Sequence, residues 1–466
     1  MSEFSIAEML DSTGARLLRG NDSQRLRGVS TDTRTLRGKE LFLALDGPNF
    51  DGNRFAREAA KRGASCLLLR SDDPRPAFIE DLPDDTPVAL HESPRKALAE
   101  LASWHRSRLD IPVIGITGSC GKTTTKNILT ELLSDHKKVV SSPASYNNEV
   151  GVPHTLLLAG ASTEALVVEI GTNQPGEIRS LCNTARPTSG IITNVGAAHL
   201  EGLGSIEGVA REKGDLAASL PDDGFCVLNG DCRWTSVMRG MTDARVITFS
   251  VDGEADVRAT DVWFHAGGTT FRLEGDLVGG VHEVTSPLLG LHTVQNLLAA
   301  LGAIAGLGIP VADVLPSISR LQGERRRMER IDAHGFTVFD DSYNANPDSA
   351  RASVRVLSGL HGHARRVFVL GDMHELGELS EEMHREVGAL AAEAKLDLLV
   401  LIGEQTRASA AGARGAGMDP DKILSFDDID RGIDEVPGLV QDGDVVLVKG
   451  SRATGLDRLV ERLTAE

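Results

Sequence analysis

Positive charge is scarce in this chain. Its 49 Lys and Arg stand against 67 Asp and Glu, a formal net charge of −18. So acidic a surface argues against nucleic-acid binding and against a basic membrane patch. An anionic nucleotide could be captured only by local basic groups and Mg²⁺. Cysteine is sparse and unpatterned. Cys66, Cys120, Cys182, Cys226 and Cys232 form no C-x-x-C pair, and they read as buried free thiols of a reducing cytosol. No apolar run approaches membrane-spanning length, and the acidic start Met1-Ser-Glu-Phe-Ser lacks the basic region of a leader. A cytoplasmic location is expected. There is no internal repeat, no long low-complexity linker, and no G-x-G-x-x-G after a strand, which disfavours a dinucleotide cofactor.

What remains is an ordinary globular composition, 41% hydrophobic and 25% charged, over 466 residues. That length exceeds one hydrophobic core and predicts two to three domains. The most informative stretch is Ile111-Pro-Val-Ile-Gly-Ile-Thr-Gly-Ser-Cys-Gly-Lys-Thr-Thr-Thr125. It reads as buried strand, glycine turn, lysine, hydroxyls and helix, the order that holds nucleotide phosphates. N–H groups freed by Gly118 and Gly121 are expected to form an anion nest at a helix N-terminus. Lys122 suits the β- and γ-phosphates, and the Thr123 hydroxyl suits Mg²⁺. Ile116 stands where the longer G-x-x-x-x-G-K-[ST] string needs glycine, so this loop is a shorter variant. Ile128, Leu129, Leu132 and Leu133 give the helix one apolar face.

Three units follow from the pattern: residues 1–107, 108–322 and 323–466. The first has strand-like runs at 40–45 and 64–69 and a helix from Pro94 to Arg106. The second has apolar strands at 111–116, 166–170 and 190–195, whose continuous apolarity predicts a parallel sheet covered on both faces. The stretch from Phe225 to Val284 alternates and is expected to be antiparallel. The third has strands at 336–340, 366–370, 396–402 and 444–448 between helices. Ligands of such sheets gather at the carboxyl ends of strands, where Glu169, Asn194 and His199 can join Lys122. A carboxylate ending a mostly apolar strand needs a partner. His199 by itself reads more readily as a packed histidine than as a ligand. Lys213, beside Glu212 and Asp215, reads by itself as a lysine on a solvated helix.

The strings 117–125, Glu169-Ile-Gly171, Thr193-Asn-Val-Gly-Ala-Ala-His-Leu-Glu-Gly202 and Glu212-Lys-Gly-Asp215 resemble, in order and spacing, the ATP-dependent Mur ligases of bacterial cell-wall synthesis. The strings 340–349, 369–377 and Val448-Lys-Gly-Ser-Arg452 resemble the member that adds D-alanyl-D-alanine to UDP-N-acetylmuramoyl-tripeptide. The tripeptide-forming sibling and the folylpolyglutamate synthetases are the alternatives. A non-catalytic nucleotide-binding protein or a simple kinase is a more distant one. The resemblance implies an α/β fold of three domains. A central P-loop ATPase-like parallel sheet is flanked by an N-terminal α/β UDP-binding domain and a C-terminal Rossmann-like α/β domain. It implies ATP at Gly118, Ser119, Cys120, Gly121, Lys122, Thr123 and Thr124, with Asn296 at the adenine, Arg327 at the nucleotide and Asp341 at the ribose. The triplet Arg325-Arg326-Arg327 leaves that register open by one. Two Mg²⁺ ions are implied, near Thr123, Glu169, His199 and a carbamate on Lys213. Lys122, Glu169, His199 and Lys213 are the implied catalytic set. Ser30, Thr31, Asp32, Thr33 and Arg34 would cradle the UDP end, with Asn147 and Asn148 on a substrate-side loop and Asn344 and Asn346 toward the dipeptide. A monomer with these two substrates as partners is expected. Cys120 stands where the family commonly has asparagine, and the wording after Glu169 also departs from the usual.

Overall fold

The computed structural model describes residues 1–465 apart from 48–49, 72–78, 81, 84, 266–267, 334, 361 and 363. Its centre is the strand Val113–Thr117, buried along its whole length. Val113 faces one apolar layer, while Ile114 and Ile116 face the other. A strand apolar on both faces is stable only inside a sheet covered on both sides. It lies third in a nine-stranded sheet of order Val139–Ser141, Ala165–Glu169, Val113–Thr117, Ser189–Ile192, Phe225–Asn229, Arg245–Ser250, Val257–His265, Gly268–Glu274 and His282–Ser286. Pairing is parallel as far as Val257–His265 and antiparallel for the last two pairs. The expectation of an antiparallel run from Phe225 is therefore corrected. Phe225–Asn229 and Arg245–Ser250 pair in parallel because the helix Thr235–Arg239 supplies a crossover between them.

The helices Lys122–Ser134 and Leu291–Gly306 cover one face, where Ile128, Leu129, Leu132 and Leu133 meet Leu297, Leu298 and Leu301. The helices Gly151–Leu158, Glu177–Ala185 and Ile206–Ala218 cover the other. This second core continues without a break into the N-terminal unit, where Phe4, Leu41, Leu98 and Leu101 join it. That unit holds a five-stranded sheet of order Arg16–Arg19, Val88–His91, Cys66–Arg70, Leu41–Leu43 and Val29–Ser30. Its closing helix Pro94–Ser107 starts sharply: Ser93 Oγ accepts from Lys96 N, and Pro94 fills the first turn, where no N–H is needed.

The C-terminal unit is a six-stranded sheet of order Glu329–Ala333, Phe336–Asp341, Val445–Lys449, Arg366–Gly371, Leu398–Ile402 and Ile423–Phe426, parallel except for its first pair. The α/β class and the three units, each built on one of the larger sheets, are those the sequence led one to expect. Glu329–Ala333 and Ile423–Phe426 were not anticipated; both are edge strands, only partly buried, and lack the continuous apolar run of their neighbours.

Candidate functional site

The chain leaves Val113–Thr117 between two parallel neighbours reached in opposite directions, Ala165–Glu169 on one side and Ser189–Ile192 on the other. Such a reversal opens a crevice at the carboxyl ends of the strands. The phosphate loop turns there, with Gly118 at φ 150° and Gly121 at φ 81°. Asn194 fixes it. Ser119 N donates to the Asn194 carbonyl at 3.1 Å and Cys120 N to Asn194 Oδ1 at 2.9 Å. The Thr193 hydroxyl donates to the Cys120 carbonyl at 2.5 Å. The N–H groups of Ser119 and Cys120 are thus engaged inside the protein. The anion nest falls instead to the first turn of the helix, at Lys122, Thr123 and Thr124, whose N–H groups have no intrahelical acceptor. Lys122 Nζ donates to Gly118 O at 2.7 Å. Burial lowers its pKa, and Glu169 pulls the other way.

Glu169 ends its strand 1% exposed. Oε1 accepts from Asn147 Nδ2 at 2.8 Å, while Oε2 has no hydrogen-bond partner among the described residues. The nearest cation is Lys126, 3.8 Å from Oε2 and itself buried. Lys126 also donates to Ser142 O at 2.9 Å and to Ala144 O. It thereby pins the loop that carries Asn147, with Ala144 held at φ 45°. Sequence reading passed over Lys126, although it lies on the apolar side of its helix beside Leu129 and Leu133, and that position was the available signal. Thr123 Oγ1 accepts from Arg327 Nη2 at 3.3 Å. A carboxylate oxygen that accepts no hydrogen bond among the described residues and a first-turn hydroxyl lining the same cavity are the oxygen ligands that Mg²⁺ takes. Among the described residues no cluster of three His, Cys, Asp or Glu is placed to hold a metal, so such an ion would complete its shell with phosphate oxygens.

His199, at φ 56°, places Nδ1 2.7 Å from Glu375 Oε2 of the C-terminal unit. Lys213 is 1% exposed, not solvated, which corrects the surface reading of its helix. It makes no hydrogen bond or ion pair among the described residues, and burial together with the charge of Lys122 brings its amine down to about 7. Its neighbour Glu212 is buried too, accepting from Gly176 N at 2.7 Å and Ile178 N at 2.8 Å.

The C-terminal unit faces this crevice with its own strand ends. Asp341 Oδ2 lies 2.6 Å from Lys449 Nζ and accepts from Ser353 Oγ at 2.8 Å. Lys449 also donates to Asn344 O at 3.1 Å. Asn346 caps the helix Pro347–Gly359 by accepting from Ser349 N at 2.9 Å. Its amide also lies 3.1 Å from Cys120 Sγ, so the phosphate loop and the C-terminal unit touch. Asp348 Oδ2 accepts from Ala197 N at 3.2 Å. Within the arginine triplet, Arg327 turns toward Thr123, while Arg326 pairs with Asp457 at 2.9 Å.

One cavity of about 1550 Å³ lies between the two units. Ser119, Cys120, Gly121, Lys122, Thr123, Thr124, Asn147, Glu169, His199, Asn296, Arg327, Asp341, Asn344 and Asn346 all line it. Asn296 abuts the loop closely enough that a Cβ on Gly121 would come within 2.2 Å of its Oδ1. Gly118, Asn148 and Lys213 are not among the lining residues. Asn148 precedes the helix Gly151–Leu158, its Oδ1 accepting from Val150 N at 3.2 Å and Gly151 N at 2.9 Å. Ser30, Thr31, Asp32, Thr33 and Arg34 also lie outside the cavity, running from the end of the strand Val29–Ser30 into the 3-10 turn Thr33–Thr35 of the N-terminal unit. There Asp32 accepts from Arg34 N at 2.9 Å and binds its guanidinium at 2.6 Å.

Comparison with known proteins gives a consistent picture. Three family models match: "Mur ligase family, catalytic domain" over residues 25–106, "Mur ligase middle domain" over 116–304 and "Mur ligase, glutamate ligase domain" over 326–452. The UDP-N-acetylmuramoyl-tripeptide–D-alanyl-D-alanine ligase of Bacillus subtilis is 32% identical over 98% of this chain and 97% of its own. A crystal structure of MurF from Acinetobacter baumannii has a TM-score of 0.89 at 28% identity, with 100% of each chain covered. MurF ligase from Thermotoga maritima, crystallised in complex with ADP, has a TM-score of 0.80 at 28% identity, over 94% of this chain and 97% of that one.

Proposed function

The chain belongs to the Mur ligase family, and from that we propose how it acts: it is an ATP-dependent ligase that joins D-alanyl-D-alanine to UDP-N-acetylmuramoyl-tripeptide in peptidoglycan precursor synthesis. One observation carries the reading. A single cavity is lined by Lys122, Glu169 and His199 from one unit and by Arg327, Asp341, Asn344 and Asn346 from the other.

The tripeptide's terminal carboxylate attacks the γ-phosphorus of ATP, giving an acyl phosphate and ADP. The dipeptide amine then attacks the acyl carbon, and phosphate leaves. Lys122 and the first-turn N–H groups offset the charge that develops on the transferring group. Thr123 and Glu169 would hold one Mg²⁺, and His199 with a carbamate on Lys213 a second; when bound, these ions neutralise phosphate charge. Oε2 of Glu169, which accepts no hydrogen bond among the described residues, fits the first. Lys213 fits a carbamate because CO₂ adds only to an uncharged amine, and burial keeps much of this one uncharged near neutrality. Asn296 would meet the adenine, Asp341 the ribose and Arg327 the phosphates. Ser30, Thr31, Asp32, Thr33 and Arg34, with Asn147 and Asn148, would take the UDP-linked substrate. Water destroys acyl phosphates, and a site enclosed between two units limits its access. No described helix is long and apolar enough to cross a membrane, and we read the protein as a cytoplasmic monomer.

The test is phosphate release with ATP, Mg²⁺, UDP-N-acetylmuramoyl-tripeptide and D-alanyl-D-alanine, each omitted in turn. Release that requires both the tripeptide and the dipeptide, with a pentapeptide product by mass, is expected. Turnover only with a different amine or acceptor would overturn the substrate assignment.

A further inference from the structure

Tyr343 joins three segments that the reaction must bring together. Its ring lies 4.2 Å from the Arg327 guanidinium carbon, within cation–π range. That guanidinium donates to Thr123 Oγ1. The Tyr343 hydroxyl is 2.8 Å from Ser145 Oγ. Ser145 follows Ala144, whose carbonyl is held by Lys126, and Lys126 stands 3.8 Å from Glu169 Oε2. The contacts form an arc from Thr123 through Arg327, Tyr343, the 142–147 loop and Lys126 to Glu169. Its two ends are the groups assigned above to one Mg²⁺. Arg327 and Tyr343 alone come from the C-terminal side, so if that unit swings away the Tyr343–Ser145 and Arg327–Thr123 contacts break together while ring and guanidinium stay paired. Phenylalanine would fill the same space; only the hydroxyl reaches Ser145.

We propose that Tyr343 is a positioning residue that couples docking of the C-terminal unit to assembly of the phosphate site. The ring holds Arg327 against the start of the phosphate-loop helix. The hydroxyl holds the substrate-side loop that carries Asn147. The inference rests on the ligase reading above.

The test is steady-state kinetics on the full-length enzyme and on Tyr343→Phe, Ser145→Ala, their double variant and Tyr343→Leu. Loss of one neutral hydrogen bond predicts a fall of about three- to tenfold in kcat for Tyr343→Phe and for Ser145→Ala. The double variant should be no slower than either single, since both remove the same contact. The KM for ATP should hold in Tyr343→Phe, which keeps the ring under Arg327, and rise about two- to thirtyfold in Tyr343→Leu. A merely structural tyrosine would not separate kcat from KM in this way. Wild-type kcat in Tyr343→Phe, or independent losses that multiply in the double variant, would overturn the coupling. Ser145→Ala changes the facing loop from the central unit and keeps the test open should a Tyr343 variant fold poorly. If the wild type itself shows no dipeptide-dependent phosphate release, the ligase reading falls and not this one alone.

Discussion

Gly118→Ala tests whether the loop geometry itself binds the nucleotide. At φ 150° a Cβ is strained, at a cost of about 1–3 kcal/mol. The added methyl would also sit 1.9 Å from Thr193 Oγ1. Thr193 must then turn and release the Cys120 carbonyl it binds at 2.5 Å, a further loss of about 0.5–1.5 kcal/mol. The loop escapes both penalties by leaving the conformation that fits between Asn194 and the helix. The cost therefore appears in nucleotide affinity. The two terms together give about 1.5–4.5 kcal/mol, or roughly 10- to 2000-fold weaker binding of Mg·ADP. Isothermal titration reads the affinity and circular dichroism checks the fold. Gly308→Ala is the control: its φ is 75°, nothing lies within 4 Å of a Cβ, and it is remote from the cavity. It should cost stability only. Gly118→Ala binding within about threefold of wild type, with unchanged dichroism, would refute the reasoning.

Lys122→Ala should lower kcat about 10²–10³-fold or more in the phosphate-release assay. It should leave the thermal midpoint nearly unchanged, since among the described residues the side chain's one hydrogen-bond partner is Gly118 O. Because the Lys213 amine is brought to about 7, its uncharged share grows as pH rises through neutrality. A ¹³C carbamate signal from labelled bicarbonate should therefore strengthen from about pH 6 to about pH 8 and vanish in Lys213→Arg. His384 is buried, accepting from Met373 N at 3.0 Å and donating to Ser380 O at 2.7 Å, and burial lowers its pKa. The unfolded chain then binds the extra proton once pH falls below about 6.5. This histidine's contribution to stability is full above that value and is lost as pH drops toward the folded pKa. Denaturant titrations at falling pH should show His384→Gln less acid-sensitive than wild type, by up to about 1.4 kcal/mol per pH unit.

Much of this was legible in the sequence because it is local. Residues 113–116 and 165–168 carry no polar side chain at consecutive positions, which specifies strands buried on both faces. The 3.6-residue spacing of Ile128, Leu129, Leu132 and Leu133 specified the helix that the loop feeds. The strand ends then named Glu169 and Asn194 before any contact was known. Less legible was the run from Phe225, where parallel and antiparallel pairing differ by a five-residue crossover helix rather than by composition.

The chain by itself determined the strand–loop–helix unit, the order of the three sheets and the types of residue at the cavity, because backbone period and turn chemistry are properties of neighbouring residues. Only the tertiary structure decided which groups are used. It turned Arg327 inward and Arg326 toward Asp457, and it engaged the Ser119 and Cys120 N–H groups with Asn194. It also buried Lys213 and Lys126, and it brought Cys120 against Asn346 across 226 positions of sequence. Each of these depends on desolvation or on hydrogen-bond distance between segments remote in the chain, and those are fixed by packing one unit against another.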